Sequence, residues 1–316
     1  MGLHDLLSLR SDAEKWKTFA FMSASFQHIL GIFDFSQQFQ LFSNYYQYGY
    51  QRRAAPLQEW ANQDREEIKV LNLLRPAPRM WVSFHLGVYQ WIPLRLMIAG
   101  ISVCLIVSRS VLQEYRAIYA KLVERIPLEG KLWFQEAEDP KIFFALRRFV
   151  KMGFHIFVFA DGAFGSIDHP NKKLAEVKLL EGSIRVRSGY INIASLFNLP
   201  ITKIIEHSLD PHKWQPLKLY EIPNETIKNH KDFHDQCLGN LYRSFEKDLV
   251  KFPHLWETWR YLHRYYHPRS ELLNWNSDYR IIPLQAKNEY MLLDKFTYRS
   301  HQIDKTQYES LSKIIF

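Results

Sequence analysis

Short apolar runs alternate with amphipathic stretches between residues 80 and 220, and this alternation limits the possible folds more than any other feature. Strands that alternate with helices form a largely parallel sheet with helices on its faces. The pattern therefore predicts an α/β fold with a mostly parallel central sheet. The predicted strands are 80–84, 101–107, 131–135, 155–160, 201–206 and 216–220, and the predicted helices are 88–99, 110–126, 139–152 and 188–198.

The region before this core is predicted to be helical. Ser11-Asp12 can cap one helix, and another should end at Leu74, before two prolines. Between them, aromatic residues from Phe33 to Tyr46 recur at helical spacing. We interpret this stripe as core packing, with a lipid-contacting surface as the alternative.

Three segments follow from these patterns. Residues 1–78 form a helical N-terminal region, and residues 79–268 form the α/β core with a helical closure. Residues 269–316 change character, because three short β-like runs precede a terminal helix. They predict a small β-rich appendage, with packing of this tail onto the main domain as the alternative.

The composition of the chain indicates which partners it binds and in which cellular compartment it acts. The 316 residues carry a net charge of +8, which favours acidic partners. Nucleic acid is not expected, because no nucleic-acid recognition module occurs in the sequence. The two cysteines, Cys104 and Cys237, give no disulfide framework and favour a reducing compartment. Without a signal pattern or a clean apolar stretch of about 20 residues, the chain is expected to be cytoplasmic and not to span a bilayer.

Reactive side chains follow two of the predicted strands. His85 lies just beyond the first strand, where open α/β sheets bind ligands, and Asp161 follows the strand at 155–160 and should open at the same edge. Gln90 comes one helical turn later and could accept a hydrogen bond from Nδ1–H of His85. Gly87 suits a close backbone approach beside the histidine. An aspartate that merely starts a tight turn is the alternative for Asp161.

Basic residues could bind an anionic substrate. Arg109 follows the second predicted strand and Arg125 ends the next helix; for each, a surface salt bridge is the alternative. A basic loop leads to the helix start at Ser188-Gly189, whose amides could add affinity for a phosphate. A solvated loop is the alternative. The loop residues are Lys172, Lys173, Lys178, Arg185 and Arg187.

Four short segments of the chain, in their order along the sequence, resemble motifs of the late acyltransferases of lipid A biosynthesis, which belong to the glycerolipid and lysophospholipid acyltransferase superfamily. The spacing of His85 and Gln90 is that of the family's H-x4-D/E motif. Asp161 in FVFADGAFG, Ser188-Gly189 in RVRSGYINIASLFNLPITKI, and the stretch PHLWETWRYLHR resemble later family motifs. The resemblance extends from Trp81 to Arg264.

The resemblance implies transfer of a fatty acyl group from an acyl carrier protein or coenzyme A thioester to a hydroxyl or amine of a lipid or small molecule. His85 would be the base, Asp161 and an arginine, nearest to Arg125, would position substrate, and no cofactor would be needed. The basic charge slightly favours the carrier protein, and peripheral contact with the inner face of a membrane stays open.

One departure from the family leaves alternatives open. Gln90 stands where the family has a carboxylate, so the charge partner of His85 is missing at that position. An amide can fix a tautomer of the imidazole but cannot stabilise an imidazolium electrostatically. A catalytically silent relative that binds acyl carriers or lipids, and a thioesterase, are therefore the alternatives.

Other chemistries have weaker support. His230, His234 and Cys237 have a spacing that could ligate zinc, but no pattern for a fourth ligand accompanies them, so no metal is expected. No G-x-S-x-G elbow, Walker loop or G-x-G-x-x-G motif occurs.

Overall fold

A computed structural model of the chain describes residues 8–54, 65–124, 128–161, 174–213, 215–223, 230–264, 280–286 and 289–314. The chain divides into two compact units. One unit comprises residues 48–177 and 186–256 and contains the central sheet, and the other comprises residues 1–47, 178–185 and 257–316. The division into domains at residues 78 and 268 stays a prediction.

The central sheet has six strands, which are β1 (Met80–Ser83), β2 (Val103–Val107), β3 (Leu132–Glu136), β4 (His155–Phe159), β7 (Ile201–Ile205) and β8 (Lys218–Glu221). Between β4 and β7 in the sequence lie β5 (Ala175–Leu179) and β6 (Gly182–Val186), which pair with each other in a separate two-stranded sheet. The order in the central sheet is β3-β2-β4-β1-β7-β8. Its first five strands are parallel and only β8 is antiparallel to its neighbour, so the predicted α/β fold with a mostly parallel sheet is confirmed.

Burial explains which strands lie inside the sheet. β1 and β7 are buried along their whole length, as expected for parallel strands covered on both faces. The edge strands β3 and β8 expose large side chains, among them Trp133 and Tyr220. Because β4, β1 and β7 are parallel neighbours, the residues that follow them meet at one edge of the sheet.

The helices lie within a few residues of their predicted positions. One difference concerns the turn after β1, where a 3-10 helix, Tyr89–Trp91, precedes the α-helix. Pro93 explains this start, because proline suits the first helical turn but not an interior position. Among the described residues, no helix is both long enough and apolar enough to cross a membrane. The helices are α1 (Ala13–Leu30), α2 (Phe35–Ala54), α3 (Arg65–Leu74), α4 (Ile92–Ile98), α5 (Arg109–Val123), α6 (Ile142–Lys151), α7 (Gly189–Leu196), α8 (His230–Lys251) and α9 (Lys305–Ile314), and further 3-10 helices are Pro253–Leu255, Glu257–Arg260 and Leu262–Arg264.

The second unit is built around α1 and a three-stranded antiparallel sheet. The strands are β9 (Ile281–Ala286), β10 (Glu289–Asp294) and β11 (Arg299–Ile303), in the order β11-β10-β9. Trp16 of α1 donates its indole N–H to the carbonyl of Pro283, 2.8 Å away. Asp12 caps α1 by accepting from the amide of Lys15, as the sequence predicts.

The aromatic stripe is only partly core. Phe35 and Phe42 are buried, and their rings lie 5.4 Å and 5.1 Å from the ring of Phe19. Phe33, at the start of the stripe, is exposed. The core-packing interpretation therefore holds for the part of the stripe that faces α1.

The prediction of a basic loop before α7 is wrong for residues 175–186. This segment forms the strands β5 and β6. Buried Val177 and Leu179 alternate with exposed Lys178, which is the period of a half-buried strand. The charged side chains of the segment occupy its exposed positions, which is why it resembles a solvated loop. Lys172 and Lys173 lie outside the described residues.

Candidate active site

His85 and Asp161 form a hydrogen-bonded pair at the carboxyl ends of β1 and β4. The Nδ1 atom of His85 lies 2.7 Å from Oδ1 of Asp161, and the His85 amide donates to Oδ2 at 3.0 Å. The ladder of β1 and β4 continues past the strands, since the amide of Ala160 donates to the carbonyl of Ser83 at 2.8 Å. This pairing brings together two residues that are 76 positions apart.

Asp161 is a buried carboxylate with several donors. Trp256, in the segment that resembles a late family motif, donates its indole N–H to Oδ2 at 2.6 Å. Burial alone would raise the pKa of Asp161, but the charge of His85 and the hydrogen bonds from His85 and Trp256 outweigh it and lower the pKa. The carboxylate is therefore ionised at neutral pH, beside the imidazole.

The rings around His85 fix the plane of its imidazole. Phe159 lies 4.6 Å from the His85 ring, and Tyr89 lies 4.7 Å from it in an edge-to-face arrangement. A proton on Nδ1 that is donated to Asp161 leaves the lone pair on Nε2. This tautomer is the one in which Nε2 can act as a base.

Gln90 does not orient the imidazole. Its side-chain amide donates to the Tyr89 hydroxyl at 3.4 Å, and its main-chain carbonyl accepts from the Tyr119 hydroxyl at 2.7 Å. The predicted contact from Gln90 to Nδ1 of His85 is replaced by the carboxylate of Asp161. The charge partner that the sequence motif lacks therefore comes from a different strand.

The turn after His85 requires glycine at position 87. Gly87 has a φ of +65°, and a Cβ there would lie 2.5 Å from the carbonyl oxygen of Glu206. The close approach expected at this position is thus to the residue after β7. The Gly87 amide donates to the carbonyl of Leu255, and its carbonyl accepts from Arg52 at 3.2 Å.

Glu206 is a buried carboxylate that the sequence reasoning missed. It follows β7 and accepts hydrogen bonds from the amides of Ser208 (2.9 Å) and Val88 (3.4 Å). Burial raises its pKa to about 7, although these amides and Arg95 act in the opposite direction. The available signal was its position directly after a buried strand, at the same sheet edge as His85 and Asp161.

A cavity of about 420 Å³ opens beside His85. Its volume lies within the range of small-molecule sites. Most of its wall is apolar and comes from β2, β4, α5, α6 and α7, with Ile106, Val111, Ile142 and Ile193 among the residues that line it. Polar groups are contributed by His85, Ser108, Arg187, Ser188 and Tyr190.

Arg187 brings unsatisfied donors to this cavity. Its Nε and Nη2 atoms are buried and have no hydrogen-bond partner among the described residues, while Nη1 lies 3.6 Å from a carboxylate oxygen of Glu138. Buried donors of this kind are usually satisfied, and because Arg187 lines the cavity, a ligand oxygen is a candidate partner for them.

The start of α7, at Ser188-Gly189, lies in the cavity wall, and its predicted affinity for a phosphate stays a prediction. Ser188 does not cap the helix with its hydroxyl. The hydroxyl instead hydrogen-bonds to Nε2 of His234, 2.8 Å away. Tyr190, one residue further along the wall, is buried, and its hydroxyl has no hydrogen-bond partner in the described part of the chain. The sequence analysis did not predict Tyr190 as a site residue, and it considered His234 only as a zinc ligand.

The other predicted basic residues lie elsewhere or outside the described residues. Arg109 is exposed and pairs with Glu136 through Nε at 2.7 Å. Arg185 is exposed on β6. Arg125, like Lys172 and Lys173, belongs to the part of the chain that is not described.

The candidate zinc ligands do not converge in the described residues. His234 is engaged by Ser188, Cys237 is buried, and the His230 side chain lies outside the described part. Within the described ranges, no group of three His, Cys, Asp or Glu side chains is arranged to hold a metal ion.

No model of a known protein family matches the chain, and a search of curated proteins gives no significant match. The function is therefore inferred from the geometry of the site and from the motif resemblance.

Proposed function

We propose that the protein is an acyltransferase that moves a fatty acyl group from a thioester donor to a hydroxyl or amine acceptor. The observation that carries the proposal is the His85–Asp161 pair at the wall of a mostly apolar cavity, beside the unsatisfied donors of Arg187. A base, an oxyanion donor and an apolar cavity are what acyl transfer from a thioester needs.

The proposed reaction is direct transfer. Nε2 of His85 removes the proton from the acceptor as its oxygen or nitrogen attacks the thioester carbonyl carbon. The carbon–sulfur bond then breaks, and the thiolate leaves and takes up the proton held by the imidazolium. Asp161 stabilises the imidazolium through the hydrogen bond at Nδ1.

Arg187 is the proposed partner of the carbonyl oxygen. As the carbonyl becomes tetrahedral, negative charge develops on that oxygen, and buried N–H donors stabilise it more strongly than they do the ground state. Nε and Nη2 of Arg187 are buried N–H donors of this kind, and no described residue accepts a hydrogen bond from them. The apolar wall of the cavity suits a fatty acyl chain.

The alternative of a catalytically silent relative rests on the glutamine at position 90. The carboxylate of Asp161 beside His85 supports an active enzyme instead, because it can stabilise an imidazolium where Gln90 cannot. The proposed donor is a fatty acyl thioester of acyl carrier protein or of coenzyme A, and the proposed acceptor is a lipid or a small molecule. We propose that the protein acts in the cytoplasm.

The test is thioester consumption by the purified protein. Acyl carrier protein and coenzyme A thioesters are offered with a lipid and small-molecule extract, and products are identified by mass spectrometry. We expect acylated product from the wild type and none from His85→Ala, while His301→Ala, at an exposed histidine of β11, should behave as the wild type. Free fatty acid in place of acylated product would identify a thioesterase, and equal inactivity of all three proteins would refute the proposal.

A further inference from the structure

Helix α6 presents an exposed face that combines large apolar and basic side chains. Phe144 is 77% exposed, Phe143 46% and Met152, just beyond the helix, 58%. Leaving such side chains in water is unfavourable, and several together indicate a contact surface. We call this surface the α6 face, and its residues are Phe143, Phe144, Arg147, Arg148, Lys151 and Met152.

The basic residues follow the aromatic ones at helical spacing. Arg147 and Arg148 lie one turn after the two phenylalanines, and Lys151 lies one turn further, so all of them occupy one side of the helix. They are exposed, and no described carboxylate forms an ion pair with them.

The acidic residues that precede α6 do not neutralise this charge. Glu136 pairs with Arg109, and Glu138 accepts from the Arg109 amide. Asp139 accepts from the Lys141 amide and from the Gln135 side chain. The α6 face therefore presents positive charge together with apolar surface.

The same helix forms part of the cavity wall. Ile142, its first residue, lines the cavity beside His85 and precedes the two exposed phenylalanines. On the opposite side of α6, Leu146 is completely buried. Trp133, half-exposed on the edge strand β3, has its ring 5.3 Å from Phe149, on the same side of α6 as Leu146.

We propose that the α6 face binds the surface of an anionic lipid bilayer. Exposed aromatic side chains beside Lys or Arg favour the membrane interface, where the rings enter the headgroup region and the cations meet lipid phosphates. An acidic carrier protein would account for the charge but not for two adjacent exposed phenylalanines. Binding here brings the cavity beside His85 close to lipid, whether or not acyl transfer is its reaction.

The experiment is vesicle flotation with the full-length protein. Vesicles of equal parts phosphatidylcholine and phosphatidylglycerol are compared with vesicles of phosphatidylcholine alone. We expect binding to the anionic vesicles that weakens with added salt. The double variants Phe143→Ser/Phe144→Ser and Arg147→Glu/Arg148→Glu should each lose affinity by about tenfold or more. Because these side chains are exposed, the circular dichroism spectra should match that of the wild type.

The matched control reverses two exposed basic residues on another helix. Arg243→Glu/Lys247→Glu on α8 makes the same change in net charge and should leave vesicle binding unchanged. The proposal is overturned if the wild type does not bind the anionic vesicles, or if the control loses as much affinity as the α6 variants. It is also overturned if the α6 variants lose binding to an acyl carrier protein while still binding vesicles.

Discussion

His85 and Asp161 are placed by different strands, so the pairing of imidazole and carboxylate does not depend on the local motif. Asp161 is buried, ionised and held by the indole of Trp256, so its position is fixed before any substrate binds. Gln90 donates to Tyr89 instead. Substitutions at Asp161 and Gln90 can therefore test which of the two residues supports His85: the carboxylate that lies beside it in space or the amide of the local motif.

The first prediction concerns Asp161→Asn. Removing the charge while keeping the size should lower kcat by about 10³ to 10⁴, close to the loss that the equivalent change causes in a serine protease triad, which has another fold. Gln90→Leu should change kcat by less than about threefold, because its side chain makes no hydrogen bond to the imidazole. Steady-state rates with the preferred thioester measure both. A large loss in Gln90→Leu with little loss in Asp161→Asn would contradict the assignment.

The second prediction concerns the oxyanion donor. Arg187→Gln should lower kcat by about 10² to 10³ with a smaller change in KM, because the lost hydrogen bonds strengthen in the transition state. Arg185→Gln, two positions away and exposed on β6, is the control and should leave both constants unchanged. An increase in KM alone would mean that Arg187 binds substrate without stabilising the transition state.

At the scale of elements, the sequence predicts the central sheet well and the β5–β6 hairpin poorly. The sheet strands are buried on both faces and form apolar runs, which a periodicity argument recognises. In the hairpin, exposed Lys178 and Arg185 alternate with buried side chains. Because these charged residues are also typical of a solvated loop, the alternation was not recognised as a strand pattern. Leu180, which has φ +51° in the turn, is not a residue that signals a left-handed conformation.

The site was predictable in its location but not in its pairing. Parallel strands end at one sheet edge, so His85 and Asp161 could be expected to lie near each other. The hydrogen bond between them, and the one from Trp256, join residues 76 and 95 positions apart. No local spacing encodes such contacts, which depend on how strands and helices are ordered in space.

The third prediction concerns the turn after β1. Gly87→Ala forces a Cβ to within 2.5 Å of the Glu206 carbonyl in a left-handed conformation, so it should lower the free energy of unfolding and displace His85. The backbone strain alone costs about 1–3 kcal/mol. Gly153→Ala is the control, because Gly153 also has a positive φ of +83°, but among the described residues no atom beyond its chain neighbours lies within 4 Å of the added Cβ. Urea denaturation should give the larger loss for Gly87→Ala, and equal losses would contradict the close approach.

At the scale of the whole molecule, buried titratable groups make stability depend on pH. Burial lowers the pKa of His28, His155 and His263 from 6.5 to about 4. Between these values the unfolded chain binds more protons than the native protein, so stability falls as the pH falls from 6.5 to 4. Glu206 acts in the opposite direction, because its native pKa of about 7 makes stability fall as the pH rises from 4.5 to 7. Three histidines outweigh one carboxyl, so the protein should be labile to acid.

Lys295 extends this dependence to alkaline pH and provides the fourth prediction. Its ammonium group is buried, 3.0 Å from the hydroxyl of Ser23, and burial lowers its pKa from 10.5 to about 7. Between these values the unfolded chain again holds more protons, so stability should rise with pH, by at most about 5 kcal/mol. Urea midpoints measured at pH values from 7 to 8.5 should therefore increase for the wild type and stay level for Lys295→Met, whereas Lys251→Met, at an exposed lysine, should retain the increase. At higher pH the buried thiols of Cys104 and Cys237, whose pKa values are raised by burial, act in the opposite direction. A wild-type midpoint that stays level from pH 7 to 8.5 would mean that the Lys295 amine is ionised in the folded protein.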